Sequence, residues 1–155
     1  MAQTFSIFGT GPFSQLVVNL LQETGAGQVS EFVVDDDYAD EKIIKEKNIV
    51  TWSEFKSYSK FKDKQLIFAI GYKNLNKKRK ALQRVINSGA NLANLILSNN
   101  TQIPKDRIGQ GNIIFPGAFF ESNVTVGSGN VFWSSSHICH DVSIGDCNFF
   151  AAKSV

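Results

Sequence analysis

Large apolar residues recur at every sixth position through the last third of the chain: Ile108, Ile114, Phe120, Val126, Phe132, Ile138, Ile144 and Phe150. Gly109, Gly127 and Gly145 each follow one of them, at a spacing of 18 residues or three hexads. Two positions before the apolar residues stand smaller or modest side chains, Asn112, Ala118, Val124, Asn130, Ser136, Val142 and Asn148. Positions two apart on a strand face the same way, so each hexad puts a small and a large residue inside and then turns a corner. Short internal periods of this kind mark solenoids. A solenoid repeat buries its face only against its neighbours, so about three or more coils are needed for stability. Residues 108–155 make fewer than three coils of 18 and end in mid-repeat at "AAKSV". The expectation is therefore a chain truncated from a longer protein, with a short solenoid completed by oligomerisation as the alternative.

The first hundred residues carry a different grammar. "FSIFGTGPFSQLVVNLLQETG" reads as a short strand, a glycine turn at Gly9–Gly11, and a helix presenting Leu16, Val17, Leu20 and Leu21. "EFVVDDD" is a second strand, Glu31 to Asp37, ending in acids about 25 residues past the first glycine. A nucleotide-binding βαβ unit places its ribose-binding carboxylate in that region, which makes Asp35 and Asp36 candidates. "DEKIIKEK" reads as a short helix, and "QLIFAIG", Gln65 to Gly71, as a buried strand with a second glycine turn. "YKNLNKKRKALQRVINSG" is an amphipathic helix with Leu75, Leu82, Val85 and Ile86 inward, and "NLANLIL" is a last strand. Alternating strands and helices point to a parallel α/β sheet. The boundary falls in the polar "SNNTQIPKD", Ser98 to Asp106, giving an α/β domain over 1–100 and a solenoid over 101–155.

Neither signal in the first domain stands without a bland reading. A GTG turn occurs in many α/β folds, and Ser14 replaces the third glycine of the G-x-G-x-x-G pattern. The case for a ligand is that helix amides at Gly11 to Ser14 face an anion over the turn. Asp35 to Asp37 also fit a solvated strand end, and Lys77 to Lys80 a solvated helix face.

Bulk properties narrow the field. With 43% hydrophobic residues and 13 Phe the chain can bury a core, and a formal charge of +2 gives no reason to invoke nucleic acid or an anionic membrane. No apolar run reaches the roughly 20 residues of a membrane span, and "MAQTFSIFGTG" lacks a secretory signal's basic start and long apolar core, so the expected compartment is the cytoplasm. Two cysteines, Cys139 and Cys147, are too few for a disulfide framework.

Both histidines lie within "HICHDVSIGD", His137 to Asp146. In the hexad frame Ser136 and Ile138 point inward, His137 points outward, and Cys139 to Asp141 form or follow a corner, which leaves His140 outside as well. Metal binding by His137, Cys139 and His140 is a rival reading, but a fourth ligand at a usual spacing is missing and the corner splays the side chains. Cys139 as a nucleophile is not needed for a direct transfer. Trp133 in "VFWSSS" reads as exposed at a subunit contact beside core Phe132.

The last third resembles the hexapeptide-repeat proteins, which wind as a left-handed parallel β-helix with three short strands per coil; the handedness is implied by the resemblance alone. Read together, the glycine turn, "AIG" followed by a basic helix, "NLI", and hexads holding a His and an acid resemble the bacterial nucleotide-sugar acetyltransferases of the PglD and NeuD type. The resemblance spans essentially the whole chain. It implies a small Rossmann-like domain holding a nucleotide-activated amino sugar, UDP- or dTDP-linked, and a β-helix that binds acetyl-coenzyme A and catalyses transfer within a homotrimer, for surface glycan assembly, with no metal. Gly9, Thr10 and Gly11 would meet the sugar-nucleotide phosphates, Asp35 or Asp36 the nucleoside, and Gly71, Tyr72 and Lys73 would line the same cleft. His140 falls on the family's catalytic base and Asp141 on the acid beside it. Histidine titrates close enough to neutrality to take a proton from an attacking sugar amine, and a carboxylate can orient the ring. His137 would contact substrate or bond across the trimer, or be a plain surface histidine. The resemblance implies N-acetylation, with O-acetylation or a non-catalytic sugar-nucleotide binder as alternatives; a nicotinamide-dependent oxidoreductase leaves the solenoid without a role. Where the family often reads His-Pro after "NLI", this chain has Leu97 and Ser98, and nothing is assigned there. The family's oxyanion donor lies one coil past the base, at position 158, beyond Val155, so poor acetyl transfer by this chain is expected.

Overall fold

The computed structural model describes residues 3–39, 48–97 and 103–155. The helix expected at Asp40–Lys47 and the first five residues of the expected boundary lie outside these. The chain divides into two compact units: Met1–Gly71 with Arg84–Leu92, and Tyr72–Gln83 with Ala93–Val155.

The first unit is built on five parallel strands, β1 (Thr4–Phe8), β2 (Gln28–Val34), β3 (Ile49–Thr51), β4 (Gln65–Phe68) and β5 (Asn91–Leu92), in the order β3-β2-β1-β4-β5. Apolar runs such as Ile7–Phe8, Val33–Val34 and Leu66–Phe68 are buried, as strands covered on both faces require. Between them α1 (Pro12–Thr24) connects β1 to β2, and α2 (Trp52–Ser57) follows β3. A capping box starts α2: Thr51 Oγ1 accepts the Glu54 amide at 3.2 Å and Glu54 Oε2 accepts the Thr51 amide at 2.7 Å. Phe8 stacks on Phe68 at 5.6 Å and meets Trp52 edge-on at 5.4 Å, locking helix to sheet. The buried face of α1 is Ser14, Val17, Val18 and Leu21, so Val18 takes a place expected for Leu16 and Leu20, which are half-buried. Inside the sheet Glu31 receives Lys64 Nζ at 2.6 Å and Ser6 Oγ at 2.7 Å. Burial pushes its carboxyl up, but these partners outweigh that and hold it below the usual range.

The second unit is a parallel β-helix. Its strands are two residues long: β6 (Leu95–Ile96), β7 (Ile113–Ile114), β8 (Phe119–Phe120), β9 (Thr125–Val126), β10 (Val131–Phe132), β11 (His137–Ile138), β12 (Ser143–Ile144) and β13 (Phe149–Phe150). They stack as three parallel faces, β13-β10-β7-β6, β11-β8 and β12-β9, with Val131 beside Ile113, His137 beside Phe119 and Ser143 beside Thr125. Each partner is 18 residues away, the coil length expected from the hexads. Ile114, Phe120, Val126, Phe132 and Ile138 form the buried axis, with Ala118 and Val124 among them. "NLANLIL" is not one strand: β5 closes the sheet of the first unit, whereas β6 pairs with β7 in the coils.

Three features make the coil geometry. The backbone is left-handed at 111, 117, 123, 129, 135, 141, 147 and 153, one residue per corner, where Gly, Asn and Asp cost least and Ser135, Cys147 and Lys153 carry strain. In the column of Gly109, Gly127 and Gly145 the first two are sterically required, since a Cβ on Gly109 would lie 2.7 Å from the Gly127 carbonyl and one on Gly127 2.8 Å from the Gly145 carbonyl, whereas a Cβ on Gly145 would meet open space. Inside one corner runs an asparagine ladder, in which the amides of Asn112, Asn130 and Asn148 donate to the side-chain oxygens of Asn94, Asn112 and Asn130 at 2.9, 2.9 and 2.7 Å. It satisfies polar groups that the core would otherwise leave unpaired.

The basic helix α3 (Leu75–Asn87) buries Leu82 and Val85 as expected but exposes Leu75. In its place Lys78, from the run read as a solvated face, is 1% exposed, close enough to Cys147 for the two to interact. Burial pushes that ammonium's pKa down. Among the described residues no helix is long and apolar enough to cross a membrane.

Candidate active site

His140 and Asp141 stand at a corner of the solenoid. The left-handed conformation of Asp141, φ 61°, turns its carboxylate back so that Oδ2 meets His140 Nδ1 at 2.6 Å. An ionised carboxylate only accepts, so the neutral ring holds its proton on Nδ1 and leaves a lone pair on Nε2. Both side chains are exposed, as the hexad frame requires. The bond to Asp141, then the charges of Asp141 and Glu121, raise the His140 pKa above its ordinary value. The same bond, joined by one from Asn123, lowers that of Asp141.

The coil below supplies two residues that sequence reasoning missed. Glu121 accepts the His140 backbone N–H on Oε2 at 2.9 Å and shares a 2.8 Å bond between Oε1 and His137 Nε2, so one carboxylate ties both histidines together. Its own pKa is lowered, first by the His140 amide and then by His137. Asn123 donates from Nδ2 to Asp141 Oδ1 at 3.1 Å and accepts from Arg107 at 3.0 Å, fixing the carboxylate oxygen that His140 does not use. The available signal was the coil period, which puts Asn123 18 positions before Asp141. His137 sits on β11 as expected, its ring edge-on to Phe119 at 5.2 Å.

Cys139 and His137 alternate on one outward face and converge with Glu121, whereas His140 does not join them. The expectation that the corner splays this cluster is thus corrected for His137 and Cys139. Trp133, expected to be exposed at a subunit contact, is half-buried within its own chain, stacked on Phe115 at 4.5 Å with Nε1 buried and unbonded.

In the first unit the glycine turn lies at the carboxyl end of β1. There the sheet order reverses between β1 and β4, the crevice where open α/β sheets receive ligands. Gly9 is demanded by packing: at φ +124° a Cβ would sit 2.7 Å from the Ala69 carbonyl oxygen and 2.8 Å from Ser14 Oγ. Ser14, where the glycine pattern has its third glycine, is buried and donates to that carbonyl at 3.0 Å. A Cβ on Gly11 would meet open space, and Thr10 between them is partly exposed. The amide array expected from Gly11 to Ser14 is thinner than supposed, because Pro12 has no N–H and the Ser14 amide is spent on the Gly11 carbonyl at 3.0 Å.

Neither acid candidate is unengaged. Asp35 pairs with Arg84, and Asp36 accepts from Ser53 N at 3.1 Å and Ser53 Oγ at 3.0 Å. Slight burial of Asp36 opposes those bonds, which win and lower its pKa. Gly71 ends the stretch after β4. Tyr72 and Lys73 are exposed in the second unit, where the Tyr72 ring lies 4.1 Å from that of Phe149.

No family model matches the chain, and no curated protein does. Solved structures do match. A histidine-to-alanine mutant of GDP-perosamine N-acetyl transferase from Caulobacter crescentus, in complex with CoA and GDP-perosamine, is 16% identical with a TM-score of 0.72, covering 96% of this chain and 68% of that one. The acetyltransferase domain of PglB from Neisseria gonorrhoeae, in complex with acetyl coenzyme A, is 16% identical at a TM-score of 0.70, covering 96% and 70%. WeeI from Acinetobacter baumannii is 22% identical at 0.66, covering 97% and 70%. What this chain shares with all three is the fold.

Proposed function

We propose that the protein is an acetyl-coenzyme A-dependent N-acetyltransferase acting on a nucleotide-activated amino sugar, with a Rossmann-like sheet unit, left-handed coils and a trimeric assembly. The observation that carries this reading is the exposed His140–Asp141 pair on a fold shared with a GDP-perosamine N-acetyl transferase. The sugar amine attacks the thioester carbonyl carbon while His140 Nε2 takes the proton from the attacking nitrogen. Collapse of the tetrahedral intermediate breaks the C–S bond, and the departing thiolate of coenzyme A receives the proton from the imidazolium. Asp141 stabilises that cation and Glu121 holds the His140 backbone. A positioned base of this kind contributes roughly 10²–10⁴-fold in rate. Gly9, Thr10, Gly11 and Gly71 approach the sugar-nucleotide phosphates, and Asp35 or Asp36 meets the nucleoside after releasing its present partner.

Thermal shift against the UDP-, dTDP- and GDP-linked amino sugars tests binding, since a ligand specific for the folded state raises Tm. Transfer from acetyl-coenzyme A tests the chemistry. His140→Ala is expected to keep the sugar-nucleotide shift and lose about 10²-fold or more of any transfer. A variant as active as the parent removes His140 as the base, and no shift with any nucleotide sugar removes the substrate class.

A further inference from the structure

Sequence spacing offered His137, Cys139 and His140 as metal donors, a set without geometry. Coil stacking replaces the third member. Glu121 lies on the turn below, and its carboxylate, the His137 imidazole and the Cys139 thiol have ligand atoms within 4.8 Å of one another. Glu121 follows β8 and Cys139 follows β11, two strands paired in register, so the backbone fixes the spacing of the donors.

We propose that Glu121, His137 and Cys139 form a binding site for a borderline-soft divalent cation such as Zn²⁺, with water completing the coordination. A thiolate, an imidazole and a carboxylate are the donor types that zinc takes, and three protein ligands with an open fourth position form one of its recurring sets. Tetrahedral bonds of about 2.0–2.3 Å place ligand atoms roughly 3.3–3.8 Å apart, so small rotations about exposed side-chain bonds suffice. The closest pair, Glu121 Oε1 and His137 Nε2 at 2.8 Å, must open by about 0.5 Å. The cation takes the place of the proton between these atoms, which passes through solvent to His137 Nδ1 so that the ring stays neutral, and coordination releases the Cys139 thiol proton to solvent. Glu121 Oε2 keeps its bond to the His140 amide, which joins the metal to the segment carrying the candidate base. Phe119 backs the His137 ring edge-on, limiting its rotation. The site does not rest on the acetyl-transfer reading, which needs no metal.

The test is titration of the untagged, chelator-stripped protein with Co²⁺, followed by absorption spectroscopy. One equivalent per chain is expected to give a near-ultraviolet sulfur-to-cobalt charge-transfer band that Zn²⁺ bleaches. Cys139→Ser should abolish the band, His137→Ala should weaken binding roughly tenfold or more, and Cys147→Ser should leave the band intact. Cys139 is exposed, so its replacement leaves the core untouched and loss of the band reports ligation. No thiolate band at saturating Co²⁺, or a band that survives in Cys139→Ser, overturns the proposal.

Discussion

The geometry of the candidate site at the solenoid corner depends on the conformation of a single residue. Asp141 adopts the left-handed region that Asp tolerates better than most, and this turns its carboxylate onto the ring of its own neighbour. The raised pKa of His140 comes first from that bond, and it sets the sign of a pH effect. A base must be deprotonated to act, so the acid limb of kcat/KM should lie above the ordinary histidine value of about 6.5. Asp141→Asn removes the charge and keeps the left-handed preference; the limb should move down in pH while the plateau falls about tenfold or more. A limb that does not move would separate the pair from the chemistry. The position of His140 was legible in the sequence, because the hexad frame put it outside. Glu121 and Asn123 were passed over although the 18-residue period pairs Asn123 with Asp141, because the reach of the Glu121 carboxylate to His137 and His140 depends on its side-chain conformation.

Among the elements, the asparagine ladder does what a hydrophobic axis cannot. Each side-chain oxygen accepts the backbone N–H one coil on, so removing one leaves a donor stranded in a dry interior. Asn130 is fully buried and serves both neighbours, giving through Nδ2 to Asn112 at 3.0 Å and accepting from Asn148. Asn130→Ala is expected to cost about 2–4 kcal/mol in denaturant unfolding, from the orphaned amide and the cavity together. A cost under about 0.5 kcal/mol would show the ladder to be incidental. In sequence these asparagines read merely as residues of modest size, although they stand 18 apart. Helix α3 shows the opposite error: its charge run predicted a solvated face, yet Lys78 is buried and Leu75 is not. Periodicity gave the helix but not its rotation, which tertiary packing sets.

At the scale of the whole molecule, the proposed function gives the two compact units separable tasks, and hydrogen exchange can tell them apart. A nucleotide sugar held at the glycine turn should slow amide exchange around Gly9–Gly11 and Ala69–Gly71, by up to about 2.7 kcal/mol of protection at a hundredfold excess over Kd. The ladder amides of Asn112, Asn130 and Asn148 should exchange as before. Protection confined to the coils would move the sugar-nucleotide site out of the sheet unit. Val142, read as inward, is exposed, and Ile113 and Val131, at outward positions, are buried. By itself the sequence determined the coil period, the buried pairs from Asn112 and Ile114 to Ser136 and Ile138, and the parallel α/β character of the first hundred residues. These are repeating one-dimensional patterns, and hydrophobic burial reads them directly. Only tertiary structure decided that "NLANLIL" feeds both units, that Ser14 is buried against Ala69, that Asp35 and Asp36 already hold Arg84 and Ser53, and that Glu121 joins both histidines. Each of these depends on which distant backbones lie within hydrogen-bonding distance, and local sequence places no constraint on that.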